Sequence, residues 1–235
     1  TTGARLVIGV DNAISASSRW AIYSLATANF IMTMDLNGKV LTMSAMDTHG
    51  GSGQRHSAGD QLYIQNDAEN TSSTYTLSGN NISVEQIYNG KVNDGLSGAG
   101  GVSLVKNGTF TQTLVAANGY TGSTTINAGT LQLGKSRDAN LGYTGSFGSL
   151  ASPTIILNGV GNQSVANTTL ANTGTLTLDN LGTFNNGSNR LADAALLSLR
   201  GGNFIYRGSE LAATNSSETV GTLEAHSKRS ILTIT

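Results

Sequence analysis

The chain has 235 residues, of which 11% are charged, with a net charge of −1, 30 glycines, one proline and no cysteine. It is long enough to bury a sizeable core and carries no basic field with which to hold nucleic acid. It also lacks the thiols that a disulfide scaffold, an iron–sulfur cluster or a thiolate zinc site requires. A hydrophobic content of 38% separates it from disordered chains. Abundant glycine, threonine, serine and asparagine suit short strands and tight turns rather than long helices.

The first residues, Thr1-Thr2-Gly3-Ala4-Arg5, have no basic region followed by an apolar run and do not read as a signal peptide. Arg5 to Val10 reads as a strand. Ala21 to Met34 leans apolar but is interrupted by Ser24, Thr27, Asn29 and Thr33, so it is too short and too polar to span a bilayer. The segment is expected to be soluble, with both ends reading as cuts through something longer. Further strands are predicted at Phe30–Leu36, Lys39–Met43, Gln61–Gln65, Ser73–Leu77, Ile82–Ile87, Thr109–Val115, Thr124–Asn127, Thr130–Leu133, Thr154–Leu157, Thr175–Leu178, Leu196–Leu199, Asn203–Tyr206 and Ser230–Ile234. Leu191 to Leu197 reads either as a short helix or as a loop leading into a strand. Asn-Gly dipeptides at Asn37-Gly38, Asn89-Gly90, Asn107-Gly108, Asn158-Gly159 and Asn186-Gly187 supply the positive φ angles of tight turns, in hairpins and solenoids alike.

The most informative stretch is Gly119 to Gly134. Ile126, Leu131 and Leu133 alternate with threonine and glutamine, the period of a strand with one buried face, and the breaks fall at glycine and asparagine. Such a unit has a weak core alone and gains stability by stacking on copies of itself. An internal echo accompanies it. Gly3–Gly9 parallels Ala128–Gly134, Asp11–Ile14 parallels Asp138–Leu141, and Thr33–Gly38 parallels Thr154–Gly159, as if one large repeat were followed by most of a second. Ile126, Leu131, Leu133, Leu176 and Leu178 are the expected inward residues of a parallel β-solenoid.

Residues Ser103 to Gly134 resemble the passenger-associated transport repeat of bacterial autotransporters, also called the autotransporter-associated β-strand repeat. The likeness rests on Leu104, Lys106, Gly108, Thr113, Leu114, Asn118, Tyr120, Thr121, Gly122, Thr124, Ile126, Gly129, Leu131, Leu133 and Gly134. It departs at Phe110-Thr111-Gln112, where that family usually has small residues. Asn189–Asp193, Leu199–Phe204 and Ser216–Leu223 resemble the regions between such repeats in very large surface proteins. The resemblance implies an all-β fold, a right-handed parallel β-helix displayed outside the cell or on the bacterial surface, associated with the outer membrane. The expected organisation is a solenoid segment at 1–102 with a polar loop near 47–60, the repeat at 103–134, and a continuing solenoid segment at 135–235.

Sites of chemistry are scarce. Asp47 to Asp60 gathers His49, His56, Arg55 and two aspartates in a glycine-rich loop, but its histidine spacing fits neither a helical pair nor a zinc pattern. Gly51-Ser52-Gly53 is neither a phosphate loop nor a Gly-x-Ser-x-Gly elbow, so a solvated insertion is expected. Polysaccharide-cleaving enzymes need two positioned carboxyl groups. The acids here are sparse: Asp35, Asp47, Asp60, Asp67, Glu69, Glu85 and Asp94, then Asp138, Asp179, Asp193, Glu210, Glu218 and Glu224. Asp11-Asn12 and Asp179-Asn180 read as turns. Trp20, Tyr23, Tyr63, Tyr75, Tyr88, Tyr120, Tyr143 and Tyr206 are expected to pack between rungs rather than form a sugar platform. No catalytic, cofactor or metal residue is assigned. The expected role is a structural or adhesive surface module whose partners are neighbouring repeats or identical subunits end to end, with a surface polysaccharide as a further candidate. Nucleic acid binding and membrane insertion are not expected. The alternative is a lyase or hydrolase acting on polysaccharide.

Overall fold

The computed structural model describes residues 2–21, 30–48, 61–80, 82, 85–95, 100–134, 148–159, 173–180, 189–209, 215–226 and 229–235. Among the described residues, twenty-one strands follow one another around a coil. The first turn holds β1 (Thr2–Val7) and β2 (Arg19–Ala21). The second holds β3 (Phe30–Asp35), β4 (Val40–Met43) and β5 (Ala45–Asp47), and the third β6 (Gln61–Gln65), β7 (Ser72–Leu77) and β8 (Gln86–Tyr88). The fourth has β9 (Lys91–Val92), β10 (Gly101–Lys106) and β11 (Thr111–Leu114), and the fifth β12 (Ala117–Asn118), β13 (Thr124–Ile126) and β14 (Gly129–Leu133). β15 (Ser149–Leu150), β16 (Thr154–Asn158) and β17 (Gly174–Asp179) make the sixth. β18 (Leu196–Arg200) and β19 (Asn203–Arg207) belong to the seventh, and β20 (Thr222–Ala225) and β21 (Ile231–Ile234) to the eighth.

Every ladder between these strands is parallel, and each strand pairs with its equivalent one turn away. The second face is a continuous seven-stranded sheet, β4-β7-β10-β13-β16-β18-β20. The third face is β8-β11-β14-β17-β19-β21, preceded by the separate pair β2-β5. The first face is β1-β3-β6-β9, then a separate pair β12-β15 extended by a bridge from Leu150 to Leu191. This is the all-β parallel solenoid that the sequence predicts.

The register decides which side chains meet. On the second face, Leu41, Tyr75, Leu104, Thr124, Ile155, Leu197 and Leu223 form one inward column, and Met43, Leu77, Lys106, Ile126, Leu157, Leu199 and Ala225 the next. On the third face Leu131 stands over Gln112 and under Leu176, and Leu133 over Leu114 and under Leu178. The five predicted inward residues are all fully buried. Turn length varies without disturbing these columns: Leu104 pairs with Thr124, 20 residues on, and Ile155 with Leu197, 42 residues on.

Several predicted features take another form. The 191–197 stretch is a turn leading into β18, not a helix. The echo joins β1 and β3 of the first sheet to β14 of the third and β16 of the second. It therefore relates strands on different faces, and the structural repeat is the single turn; Asp138–Leu141 lie outside the described residues. β10 straddles the expected boundary at 102/103. Asn37-Gly38 has the two positive φ angles expected of it. Asn107-Gly108 and Asn158-Gly159 do not; they are selected by stacking. A Cβ on Gly108 would lie 1.8 Å from the Gly79 carbonyl oxygen. Asn158 Nδ2 donates to Asn127 Oδ1 at 2.7 Å, and Asn127 Nδ2 to Asn107 Oδ1 at 2.6 Å, a side-chain ladder parallel to the backbone one. Asn186-Gly187 lies outside the described residues.

Leu131→Asp places a carboxylate in a dry column and is expected to cost about 4 kcal/mol or more, unfolding the local stack. Gln132→Asp, on the outer side of the same strand, is expected to cost about 1 kcal/mol or less. Denaturant midpoints of the two variants check the assignment of faces; equal losses would reverse it.

Candidate functional site

Four buried polar side chains, Gln112, Asn118, Arg190 and Lys106, bond backbone groups of neighbouring turns. Gln112 stands in the inward column between Gln86 and Leu131 and is fully buried. Its Oε1 accepts from the Met46 N–H at 3.0 Å, and its Nε2 donates to the Met46 carbonyl at 3.0 Å and the Gln86 carbonyl at 3.1 Å. The amide thus replaces a strand where the β2-β5 pair ends and the six-stranded sheet begins. Asn118 does the same on the first face, where β9 gives way to β12. Its Oδ1 accepts from Val92 N at 2.9 Å, while its Nδ2 donates to the carbonyls of Ala116 at 2.8 Å and Ser149 at 3.0 Å.

Arg190, also buried, donates through Nε to Gly148 O at 3.0 Å and through Nη1 to Asp179 O at 3.0 Å and Asn180 Oδ1 at 2.6 Å. Burial lowers the guanidinium to about 10, against the opposing pull of Glu218 and Asp179, so it stays charged at neutral pH. Glu218 accepts from the backbone N–H groups of Arg190 and Leu191 at 2.9 and 3.0 Å, and partial burial raises its carboxyl. Lys106 is the fourth. Its Nζ lies 3.9 Å from the centre of the Phe110 ring and donates to the carbonyls of Gly108 and, at 3.3 Å, Ala128.

The carboxylates are structural in their contacts. Asp35 and Asp67 meet at Arg5, whose Nη2 lies 2.5 Å from Asp35 Oδ2 and 2.9 Å from Asp67 Oδ2. Asp35 Oδ1 accepts from Asn37 N and Asp67 N, and Gln65 Nε2 donates to Asp67. Asp94 accepts from Val102 N and from the backbone and hydroxyl of Thr121. Each acid ties one turn or loop to another. A glycosidase arrangement leaves its two carboxyl groups facing substrate, whereas this pair is bridged by Arg5, with Asp35 also engaged by backbone N–H groups.

Ser198, His226 and Glu224 assemble on the outside of β18 and β20, a juxtaposition that the sequence reading did not single out. Ser198 Oγ lies 3.1 Å from His226 Nε2 and accepts from Arg200 Nε at 3.1 Å. Glu224 Oε2 lies 3.5 Å from the same His226 Nε2. In a hydrolytic triad the acid orients the opposite ring nitrogen; here acid and serine share one nitrogen, and Ser198 is fully buried. The group is a part-buried hydrogen-bond cluster between neighbouring turns.

Of the polar loop at Asp47–Asp60, residues 49–60 lie outside the described residues; Asp47 is buried, 3.6 Å from Arg19 Nη1. Tyr75, Tyr88 and Tyr120 are fully buried. Burial raises all three hydroxyls above their ordinary range, and Trp20 and Tyr206 pack against the core. Tyr63 is half-buried, and Tyr23 and Tyr143 lie outside the described residues. A shallow groove of about 360 Å³ crosses the first face between Ala117–Gly119, Ser149–Ala151 and Asn189–Ala192 without a charged side chain. Among the described residues no three acids or histidines converge as a metal site, and no helix is long and apolar enough to cross a membrane.

Residues 104–133 match the family model described as Passenger-associated-transport-repeat. This stretch carries that repeat. The match begins at Leu104 in β10 and ends at Leu133 in β14, so the repeat supplies the shortest turn of the solenoid and both neighbours of Lys106 along its column are strands of equivalent geometry. Its motif positions acquire physical roles. Lys106 and Asn118 bond backbone between turns, the Tyr120 hydroxyl meets Thr124 Oγ1 at 2.7 Å, and Gly129 has φ +67°. No curated protein and no solved structure matches the chain.

Gln112→Leu keeps the bulk of the side chain and strands the Met46 N–H and carbonyl. A loss of about 2–4 kcal/mol is expected, measured by denaturant unfolding, with Gln112→Glu also destabilising because it removes the donor.

Proposed function

We propose that this chain is a structural and adhesive module of a large repetitive surface protein, a right-handed solenoid that holds other parts away from the bacterial surface. The observation that supports it most is the passenger repeat set within an unbroken seven-stranded parallel sheet. A stack of this kind extends along one axis, and its interior polar groups are spent on joining turns. The role is non-enzymatic: Asp35, Asp67, Asp94 and Glu218 are occupied by backbone or by arginine.

Assembly belongs to the same reading. Leu223, Leu232 and Ile234 are exposed although they continue inward columns, and Leu6 and Val7 are exposed at the opposite end. Such edges accept a further parallel rung, from neighbouring repeats or from an identical subunit end to end. The ends differ, however. Asp11 Oδ1 and Asn12 Oδ1 accept from Val40 N and Thr42 N at 2.8 and 3.0 Å, occupying the β4 edge, while β20 is open. Extracellular display and contact with a surface polysaccharide complete the proposal.

The test of the function is exposure and binding together. In cells making the full gene product, an epitope inserted in the exposed Asn80 region is expected to be labelled on intact cells, and the purified chain to bind without cleaving a panel of neutral and acidic polysaccharides. Labelling only after lysis would contradict the surface role; turnover lost on Asp or Glu substitution would establish the enzymatic alternative. Light scattering at rising concentration is expected to show open-ended oligomers, and a constant monomer mass would remove end-to-end assembly.

A further inference from the structure

We propose that Lys106 is a proton-operated latch between the fourth and fifth turns: the neutral amine holds the two turns together, and uptake of a proton loosens that junction. The geometry isolates this amine from any counter-charge. Lys106 is fully buried and takes the place that Leu77 occupies in β7 and Ile126 in β13. Its other neighbours are the Phe110 ring and the carbonyls of Gly108 and Ala128. The inward residues of the adjoining β11 and β14 are Gln112, Leu114, Leu131 and Leu133. β7 adds one inward ionisable group, Tyr75, which pairs with Leu104 and is held neutral because burial raises its hydroxyl. Among the described residues β7, β11, β13 and β14 contain no carboxylate.

Phe110 supplies part of a cation's solvation through the face of its ring, and two carbonyls supply more. Neither is a carboxylate, and a buried ammonium without one releases its proton more readily than in water. Burial lowers Lys106 to about 7. The sign follows from the protons bound in each state. Between about 7 and the ordinary lysine value of 10.5 the opened chain holds a proton that the closed one lacks, so stability rises with pH across that window and acidification removes it. Above about pH 10 the buried tyrosines reverse the trend, because they ionise only when opened.

The two carbonyls give the latch its location. Gly108 lies at the corner between β10 and β11, and Ala128 at the equivalent corner between β13 and β14. One nitrogen thus spans the corners of consecutive turns inside the passenger repeat, so its release is local to that repeat. Distant turns, such as β18 and β19, share none of its contacts.

The experiment follows the lysine side-chain signals of isotope-labelled protein by NMR from pH 5.5 to 10.5, with hydrogen exchange of segments 104–114 and 124–133 against 196–207. Lys106 is expected to titrate near 7, against the ordinary lysine value of 10.5. The opening equilibrium of the two repeat segments should fall by up to tenfold per pH unit above 7, with little change in 196–207. Lys106→Met should abolish the pH dependence and leave the repeat more protected at pH 6. If that variant does not fold, the wild-type titration decides alone. Titration of Lys106 near the ordinary lysine value of 10.5, or an equal pH response in all three segments, would overturn the latch.

Discussion

The structure depends on keeping backbone hydrogen bonds and inward columns in register from one turn to the next. Each strand satisfies half of its N–H and C=O groups upward and half downward, so an error at one turn is passed to both neighbours. The chain tolerates turns of 19 to 45 residues because the extra residues fall between strands, while Leu, Ile and Met columns resume above and below them. Loop length costs little; a slip of one residue would turn an entire strand inside out.

Where the columns or sheets fail, single side chains carry the backbone's hydrogen bonds. Gln112 and Asn118 bridge the two sheet breaks with their amides, Arg190 reaches three acceptors across the sixth and seventh turns, and Lys106 ties two corners. The asparagine ladder from Asn107 through Asn127 to Asn158 repeats the same solution on the outside. These groups explain how a low-charge chain can be rich in polar residues yet closely packed. A buried amide or cation is tolerated when its partners are present and is costly to lose.

The long alternating segments were legible in the sequence. Leu131-Gln132-Leu133 and Leu176-Thr177-Leu178 read as half-buried strands because their inner residues are aliphatic and their outer ones polar. The two-residue strands β9, β12 and β15 carry no measurable period, and β10 hides because its third inward residue is a lysine. Asn37-Gly38 marked a turn for the expected reason, its positive φ angles, whereas Asn107-Gly108 and Asn158-Gly159 marked corners where the asparagines stack instead. The echo between β1 and β14 arose because every strand of such a coil obeys the same pattern, so similarity of sequence does not identify the face. Ser198 and His226 are 28 residues apart and meet only because β18 and β20 are one turn apart, a relation fixed by the length of an intervening loop.

Parallel register within the stack is the claim on which the rest depends, and cysteine pairing tests it directly because the chain has no cysteine of its own. Thr130 of β14 is paired with Thr175 of β17, and Gln132 with Thr177. The double variant Thr130→Cys/Thr175→Cys is expected to form a disulfide readily under mild oxidation, since paired strand positions lie within disulfide reach, and Thr130→Cys/Thr177→Cys to form little. The reverse preference, with 130 joining 177, would show strands that are antiparallel or slipped by two residues and contradict the register of the solenoid.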